Sequence, residues 1–427
     1  MPAAPPEQPD FARLWGILSA TQRDLLVRAA TCAGAEGGVA YLVGGPVRDL
    51  LRGVALLHDI DIVTTTDARN IAHCFATESG ATVAKTTDFG TATVRLPDDD
   101  VGTSVDFATA RTETYPRPGT LPVVALPTTI GEDLHRRDVT INAMALPITP
   151  HGFGALLDPT GGLADLRSGI IRVLHDASFR DDPTRLYRTA RYAARFGFAV
   201  EPHTASLIHA AVAGGALMTI SPDRKRHELD LGIREPDPVA CFAAFDAFGV
   251  LRATSPALIW DEWVATRVPL VAPTTWPVYA FFVCRQDDAA IERLLTDIPI
   301  GAMHTPIRLL VRVWQERERI ANASYLSMLR PLLQKLPERE VLALFAGEVA
   351  DGRAAAFYAR IRYMAHQDLE WGASFGNYLK DLGIPSGPIF RELLDALRDA
   401  RLDGDVETRE DAEIYLRRRL AEQHSAS

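Results

Sequence analysis

The spacing of apolar residues changes near residue 175, and this change limits the folds open to the chain more than any other feature. Between residues 38 and 175, short apolar runs of strand length alternate with turns that contain glycine or proline. From residue 176 onward the apolar residues recur with the spacing of an amphipathic helix, as they also do over residues 10–35. This order predicts an α+β protein with a strand-containing N-terminal head and an all-helical remainder.

The length and composition are those of an ordinary globular protein. The 427 residues are enough for about two to four domains, and 47% of them are hydrophobic and 23% charged. The most apolar run, Trp276 to Cys284, is too short to span a membrane, and the N-terminus lacks the basic and apolar regions of a signal peptide. We therefore expect a cytoplasmic protein that makes no use of a membrane.

The cysteines are few and far apart in the sequence. Their spacing gives neither a disulfide framework nor a zinc site. We expect reduced thiols, as in most cytoplasmic proteins. The four residues are Cys32, Cys74, Cys241 and Cys284.

Charge is distributed unevenly along the chain. The net charge of -10 argues mildly against nucleic-acid binding, because affinity for phosphate comes from basic side chains. Five arginines nevertheless fall within residues 180–195, which hold only two acidic residues, and Arg417, Arg418 and Arg419 lie near the C-terminus. An acidic protein with such local basic faces can still bind one particular RNA.

Two aspartates alternate with apolar residues in the run from Leu57 to Val63. In a strand Ile60 and Ile62 would face the core, so Asp59 and Asp61 would project together from the other face. Adjacent carboxylates repel each other unless a cation lies between them, and Mg²⁺ prefers oxygen ligands. An Asp-x-Asp on a strand is more often a solvated face than a metal site, so this signal is weak alone.

A glycine turn precedes the aspartates by about ten residues. Tyr41 to Val43 has the pattern of a short strand, Gly44 and Gly45 that of a turn, and Pro46 suits the first position of a helix. Backbone N–H groups at a helix start bind phosphate. Together the two signals predict a metal-dependent enzyme that acts on a nucleoside triphosphate.

These segments, with a third, resemble a known family. They read Gly-Gly-Pro-Val-Arg-Asp (44–49), Asp-Ile-Asp (59–61) and Arg-Arg-Asp-Val-Thr-Ile-Asn-Ala (136–143). They resemble the head of the class II tRNA nucleotidyltransferases (CCA-adding enzymes) and of the bacterial poly(A) polymerases. Further similar segments lie at 158–166, 181–198 and 221–229, so the resemblance covers about residues 40–235. Val139, Asp181 and Asp223 depart mildly from the family pattern, which has Phe, Glu and Glu there.

The resemblance implies the domain organisation and the partners. It implies a polymerase-beta-like, mixed-sheet nucleotidyltransferase head over residues 1–175, a nucleobase-binding helical neck over 176–240, a helical body over 241–340 and a tRNA-binding helical tail over 341–427. It further implies metal-dependent addition of CCA to the 3′ end of tRNA from CTP and ATP, with Mg²⁺ as the cofactor and without a nucleic-acid template. No protein partner can be inferred.

The resemblance also implies roles for individual residues of the head. Asp59 and Asp61 would be the metal ligands. Asp106 lies between Val105 and Phe107 on a predicted neighbouring strand, and either supplies a third carboxylate or simply faces solvent. The nucleotide would be bound by the glycine turn and by arginines that follow it, namely Gly44, Gly45, Arg48 and Arg137. Arg48 could instead form a surface ion pair with Asp49.

Asp138 and Asn142 are four residues apart, which would place them on one face of a helix. They either orient the ribose or brace the junction of head and neck, and bracing is at least as well supported. Downstream, Asp182, Arg185, Arg188 and Arg191 recur every three residues, which predicts one sloping stripe on a helix. The resemblance favours base selection by Asp182 and Arg185, and base or triphosphate contact by Arg188 and Arg191. Without it, an exposed arginine stripe or a phosphate track would be favoured.

Five other functions compete with full CCA addition. The chain could be a CC-adding enzyme, an A-adding enzyme or a poly(A) polymerase of the same family. The presence of a loop at 111–122, with three prolines, weakly disfavours the CC-adding enzyme, because that kind resembles the family with the loop shortened. A catalytically silent RNA-binding protein is disfavoured by the intact Asp59 and Asp61. A glycosyltransferase that uses Asp-x-Asp would not explain the segments at 136–143 and 181–198.

Overall fold

The computed structural model describes residues 9–54, 60–97 and 104–426, with the side chains of 366–374 and 423–426 left aside. Asp59 therefore lies outside the described residues. The chain divides into two compact units, Met1–Thr254 and Ser255–Ser427. The finer division at residues 175, 240 and 340 stays a prediction.

A mixed seven-stranded sheet forms the centre of the first unit. Its order is β3-β4-β5-β2-β1-β8-β9, and two small two-stranded sheets pair β6 with β7 and β10 with β11. Within the large sheet only β2 and β5 run parallel. The strands are β1 (Ala40–Val43), β2 (Ile60–Thr64), β3 (Thr82–Thr87), β4 (Thr91–Arg95), β5 (Ser104–Thr109), β6 (Thr112–Thr114), β7 (Val123–Ala125), β8 (Ala145–Thr149), β9 (Gly152–Phe153), β10 (Ile170–Ile171) and β11 (Ala199–Val200).

Twelve described helices belong to the first unit. They are α1 (Phe11–Ile17), α2 (Ala20–Ala35), α3 (Gly45–Leu51), α4 (Ala68–Ser79), α5 (Ile130–His135), α6 (Gly162–Ser168), α7 (Ser178–Asp181), α8 (Thr184–Phe196), α9 (Pro202–Ala213), α10 (Pro222–Ile233), α11 (Pro238–Ala247) and α12 (Val250–Thr254). Short 3-10 turns lie at Thr140–Asn142 and Ala216–Thr219. The fold therefore confirms the predicted α+β class, with a small mixed sheet followed by helices.

Helices make up the regular structure of the second unit. They are α13 (Glu262–Val271), α14 (Trp276–Val283), α15 (Asp288–Asp297), α16 (His304–Gln315), α17 (Arg317–Ala321), α18 (Arg330–Leu333), α19 (Glu338–Leu344), α20 (Asp351–Asp381), α21 (Pro388–Asp403) and α22 (Arg409–Ala426). Two more 3-10 turns lie at Gly301–Met303 and Leu326–Leu329. Within the described part of the chain, no helix combines the length and the apolar character needed to cross a membrane.

The core of the first unit explains why the predicted strand forms. Ile60 and Ile62 of β2 are 1% exposed and join one apolar cluster, whereas Asp61 between them is exposed. Helix α4 packs on the same side of the sheet, where the Phe75 ring lies 5.2 Å from that of Phe107 on β5. Because alternate residues of a strand face opposite sides, burial of the isoleucines fixes Asp61 on the other face.

Two expectations for the first unit are wrong. The segment 111–122 is not all loop, because Thr112 to Thr114 pairs with Val123 to Ala125 as an antiparallel hairpin, the β6–β7 hairpin. The cysteines are not all reduced either, because Cys32 on α2 and Cys74 on α4 form a disulfide. Helices α2 and α4 pack against each other and bring these two residues together, a contact that their separation of 42 residues does not reveal. Cys241 and Cys284 are buried free thiols.

Candidate nucleotide-binding site

A cavity of about 560 Å³ in the first unit gathers most of the residues selected from the sequence. Pockets of this size suit small organic ligands. Nine of its lining residues are arginines and four are acidic. The residues selected from the sequence that line it are Gly44, Gly45, Arg48, Asp61, Arg137, Asp138, Asn142, Asp182, Arg185, Arg188 and Arg191.

The glycine turn lies directly against Arg137. Gly44 precedes α3 with φ +70° and ψ -129°, a backbone conformation that favours glycine. A Cβ at this position would lie 2.7 Å from Nη1 of Arg137, so a larger residue would displace that guanidinium. Helix α3 then begins at Gly45, with Pro46 as its second residue rather than its first. The turn thus places backbone and a guanidinium on one side of the cavity.

Arg48 forms the ion pair that the sequence suggested, but not on the surface. Its side chain is 6% exposed and donates to both carboxylate oxygens of Asp49, at 2.9 and 2.8 Å. Its Nη1 donates to Oδ1 of Asn142 at 2.7 Å, and the guanidinium lies 4.6 Å from the centre of the Phe196 ring. Arg48 is therefore held by three other residues within the wall of the cavity.

Asp138 and Asn142 are not on a helix, contrary to the prediction. Helix α5 ends at His135, Val139 is extended and forms a β-bridge with Val173, and a 3-10 turn covers Thr140–Asn142. The two side chains nevertheless meet, since Nδ2 of Asn142 donates to Oδ1 of Asp138 at 3.2 Å. Val139 is extended where it forms this isolated bridge, a contact that the local spacing of residues does not reveal.

Asp138 links this turn to α8. Its Oδ2 accepts from Nε of Arg188 at 2.8 Å, and its Oδ1 also accepts from the N–H of Val139 at 2.8 Å. Burial alone would raise the pKa of Asp138, but the charge of Arg188 and these hydrogen bonds outweigh it and hold the pKa well below its usual range. The arrangement supports the bracing interpretation for Asp138 and Asn142.

Asp61 and Asp106 lie side by side in the sheet. They are direct partners in the parallel pairing of β2 with β5, so both side chains project from the same face. Thr93 on β4 donates a hydrogen bond to Oδ1 of Asp106. Two adjacent carboxylates on one exposed face are a donor set that fits a hard divalent cation. Among the described residues no group of three potential ligands forms, and Asp59 lies outside them.

Asp182 is not part of the helical stripe, which corrects a second prediction. It precedes α8 with φ -133° and ψ 95°, because a residue before proline is kept out of the helical region and Pro183 follows it. Its Oδ1 accepts from the N–H and hydroxyl of Thr184, at 3.0 and 2.7 Å, and from Nη2 of Arg224 at 2.7 Å. Asp182 is therefore an anchored residue at the start of α8.

The three arginines of the predicted stripe, which lie on α8, are not exposed as a stripe. Arg185 is 4% exposed and donates to Oγ of Ser178 at 2.9 Å and to the carbonyl of Arg136 at 2.7 Å. Arg191 is 7% exposed and pairs with Glu228 and Glu235, both at 3.3 Å. The spacing of three residues correctly placed Arg185, Arg188 and Arg191 on one helix face, but that face lines a cavity.

Sequence reasoning missed several residues around the cavity. Seven further lining residues with polar or aromatic groups are Arg111, Glu113, Tyr115, Arg136, Tyr192, Arg195 and Arg224. Glu113 and Tyr115 belong to the β6–β7 hairpin, where the Tyr115 hydroxyl donates to Oε2 of Glu113 at 2.8 Å. Burial raises the pKa of Tyr115 far above its usual range, so the phenol stays protonated. Long polar residues at 111, 113 and 115 alternate with threonines, and this period of two could have revealed the strand.

Known proteins resemble this chain in sequence. A family model described as the poly A polymerase head domain matches residues 40–172. An A-adding tRNA nucleotidyltransferase of Geobacter sulfurreducens is 33% identical over 409 residues, which are 90% of this chain but 45% of that protein. The chain thus spans less than half the length of that relative. An A-adding enzyme of Halalkalibacterium halodurans is 33% identical over 88% of both chains, and a CC-adding enzyme of Deinococcus radiodurans is 34% identical over 83% of this chain and 92% of that one.

Solved structures resemble it over nearly its whole length. A CCA-adding enzyme in complex with ATP has a TM-score of 0.80 and 29% identity, covering 97% of this chain and 99% of that chain. The Thermotoga maritima CCA-adding enzyme complexed with tRNA has a TM-score of 0.74 and 28% identity, covering 96% and 98%. With the sequence relatives that it covers almost end to end, this similarity leads to one conclusion: the chain belongs to the tRNA nucleotidyltransferase family.

Proposed function

We propose that this protein adds CCA to the 3′ end of tRNA from CTP and ATP. The observation that carries the proposal is the joining, in one cavity, of a glycine turn, an arginine-rich wall and an exposed aspartate beside a second one. Arginines and backbone N–H groups bind phosphate, and paired carboxylates bind a divalent cation. Nucleotidyl transfer requires both of these functions in the same place.

The triphosphate would lie between α3 and the turn that follows α5. Arg137 faces the glycine turn there, and Arg48 is fixed nearby by Asn142. Guanidinium groups already held by carboxylates need little reorganisation when a charged ligand arrives. These residues would bind and orient the triphosphate, so that its α-phosphate faces the carboxylates of β2 and β5.

The metal would be held by Asp61 and Asp106, with Asp59 as the further ligand that the family resemblance implies. We propose Mg²⁺, because hard carboxylate oxygens suit it. When bound, it would neutralise phosphate charge and favour deprotonation of the attacking 3′-hydroxyl. Of the two roles considered for Asp106, we therefore propose that of a metal ligand. The hydroxyl of Thr93, which donates to its carboxylate, would orient it.

Base selection would be the work of Asp182 and Arg185. One offers a carboxylate and the other N–H donors, which together match the polar edges of cytosine and adenine. Both side chains are held by neighbours, Asp182 by Arg224 and Arg185 by Ser178. Arg188 and Arg191 would then support the site through Asp138, Glu228 and Glu235.

The tRNA would be bound by the helical part of the chain, with a nucleobase-binding neck over 176–240, a body over 241–340 and a tRNA-binding tail over 341–427. The helices that follow the sheet support a helical tRNA-binding part, and a solved relative in complex with tRNA matches 96% of the chain. A tRNA substrate would also suit the cytoplasmic location that we propose.

The product is the point that an experiment must decide. Two of the relatives carry an A-adding name and one a CC-adding name, so addition of A alone or of CC alone is the second candidate. The test is incubation with Mg²⁺ and each NTP, singly and mixed, on tRNAs that end before CCA, after one C and after CC. Sequencing of the products should show C, C and A added in order. Extension of only the tRNA ending in CC would identify an A-adding enzyme, extension that stops at CC a CC-adding enzyme, and long A tracts a poly(A) polymerase.

A further inference from the structure

Asp133 on α5 is a fully buried carboxylate that no step proposed so far uses. Its exposure is 0%, yet it lies beside the arginines that line the cavity. Oδ1 accepts from Nε and Nη2 of Arg136, at 2.9 and 2.7 Å, and from the N–H of Arg111 at 3.2 Å. Oδ2 accepts from Nη2 of Arg137 at 3.1 Å. One carboxylate thus holds two consecutive arginines and the residue that enters β6.

Glu113 on β6 completes the arrangement from the other side. Its side chain is 6% exposed, and Oε1 accepts from Nη1 of Arg136 at 2.9 Å and from Nη2 of Arg111 at 2.9 Å. The guanidinium of Arg136 is therefore fixed between two carboxylates. All three of its guanidinium nitrogens donate to these carboxylates, so we assign Arg136 a supporting role and not a phosphate-binding one.

The consequences for the cavity come through Arg137 and Arg185. Arg137, held by Asp133, places Nη1 only 2.7 Å from where a Cβ of Gly44 would lie. The carbonyl of Arg136 accepts from Nη2 of Arg185 at 2.7 Å, so fixing Arg136 also fixes the residue proposed to contact the base. Asp133 is thus connected to both ends of the nucleotide that the cavity would hold.

We propose that Asp133 is a positioning residue for nucleotide binding, which acts by holding Arg137 against the glycine turn and by fixing Arg136, whose carbonyl accepts from Arg185. The inference rests on the proposed function, since it takes the ligand to be a nucleoside triphosphate. Both carboxylate oxygens are needed, because each accepts from a different arginine. An asparagine would have one acceptor oxygen and would turn an amide N–H₂ group towards the second guanidinium.

The test is the affinity of the full chain for inorganic tripolyphosphate and for CTP, without divalent metal so that only protein donors contribute. Asp133→Asn should weaken tripolyphosphate binding by about tenfold to a hundredfold, the effect expected for a charged hydrogen bond lost at Arg137. Asp133→Glu keeps the charge but extends it by one methylene. This variant should weaken binding less, and it replaces Asp133→Asn in the experiment if Asp133→Asn does not fold.

A matched control and a double variant separate positioning from general loss of structure. Glu201 has a side chain that is 15% exposed, pairs with Arg172 at 3.5 Å and lies outside the cavity lining, so Glu201→Gln should lower the melting temperature without changing either affinity. If Asp133 acts on tripolyphosphate through Arg137, adding Asp133→Asn to Arg137→Ala should cause no further loss.

Two results would overturn the inference: wild-type tripolyphosphate affinity in a folded Asp133 variant, or fully additive losses in the double variant. A wild-type protein that binds neither CTP nor ATP would instead refute the proposed function. The two failures are therefore distinguishable.

Discussion

The Asp138–Arg188 pair gives a prediction in which the two partners are not equivalent. The carboxylate of Asp138 is 6% exposed, whereas the side chain of Arg188 is 40% exposed. Arg188→Met leaves a buried carboxylate with only two neutral donors, Asn142 and the N–H of Val139. Asp138→Asn leaves a guanidinium that water can reach. We therefore expect the arginine variant to be the less stable of the two.

The loss of stability in each variant depends on which partner of the ion pair remains. Breaking a buried pair costs about 3–5 kcal/mol, and the two remaining donors place Arg188→Met near the lower end of that range. Loss of a charged hydrogen bond at the half-exposed Arg188 costs about 1.5 kcal/mol. For a unit of 254 residues, at about 2–4 °C per kcal/mol, melting temperatures should fall by about 6–12 °C and about 3–6 °C respectively.

Acidification should reduce the difference in stability between the wild type and Arg188→Met. In the wild type the depressed pKa of Asp138 contributes stability at neutral pH that is lost only as the pH falls through that low value. In the variant, burial without the ion pair raises the pKa, so the folded state is favoured by protonation. The difference in unfolding free energy should be smaller near pH 5 than near pH 7. Thermal and urea denaturation at both pH values measure it, and a greater loss in Asp138→Asn than in Arg188→Met would refute the reasoning.

Three further outcomes are expected. Asp61→Ala and Asp106→Ala should each abolish nucleotide incorporation while the melting temperature stays within a few degrees of wild type, and activity in either would remove it from the metal site. Asp182→Ala and Arg185→Ala should change the relative use of the four NTPs by about tenfold to a hundredfold, whereas equal losses for all four in single-nucleotide extension would rule out base reading. Cys32→Ser, or reduction of the wild type, should lower the free energy of unfolding by about 4 kcal/mol, because the disulfide closes a loop of 42 residues. Activity should not fall, because neither α2 nor α4 lines the cavity. An unchanged melting temperature would contradict this.

The fold was predictable wherever local spacing and burial agree. Ile60 and Ile62 alternate with Asp61, and the resulting strand lies in the middle of the sheet. Gly44 marks a turn because its positive φ is costly for other residues. The family resemblance then selected residues from five separate segments, and of those that the structure describes all but Asp106 line one cavity.

The structural features that the sequence did not predict depend on contacts between distant segments, or on a local rule that was not applied. Val139 is extended where it forms its bridge to Val173, and the Asp138–Arg188 pair joins residues fifty positions apart. Neither leaves a periodic signal. Asp182 is different, because the proline after it already argued against a helical conformation. The Cys32–Cys74 disulfide was not predicted, because reduced thiols were expected from the cytoplasmic location and the packing of α2 on α4 was not foreseen.

The chemistry of the cations in the cavity wall has a consequence for how the site responds to pH. All nine basic side chains that line it are arginines, and no lysine or histidine is among the described lining residues. A guanidinium does not lose its proton at any pH at which proteins stay folded, whereas lysine and histidine can. The positive charge offered to a triphosphate is therefore constant. Ionisation of the nucleotide's own terminal phosphate is then expected to contribute to changes of nucleotide affinity between about pH 6 and pH 9.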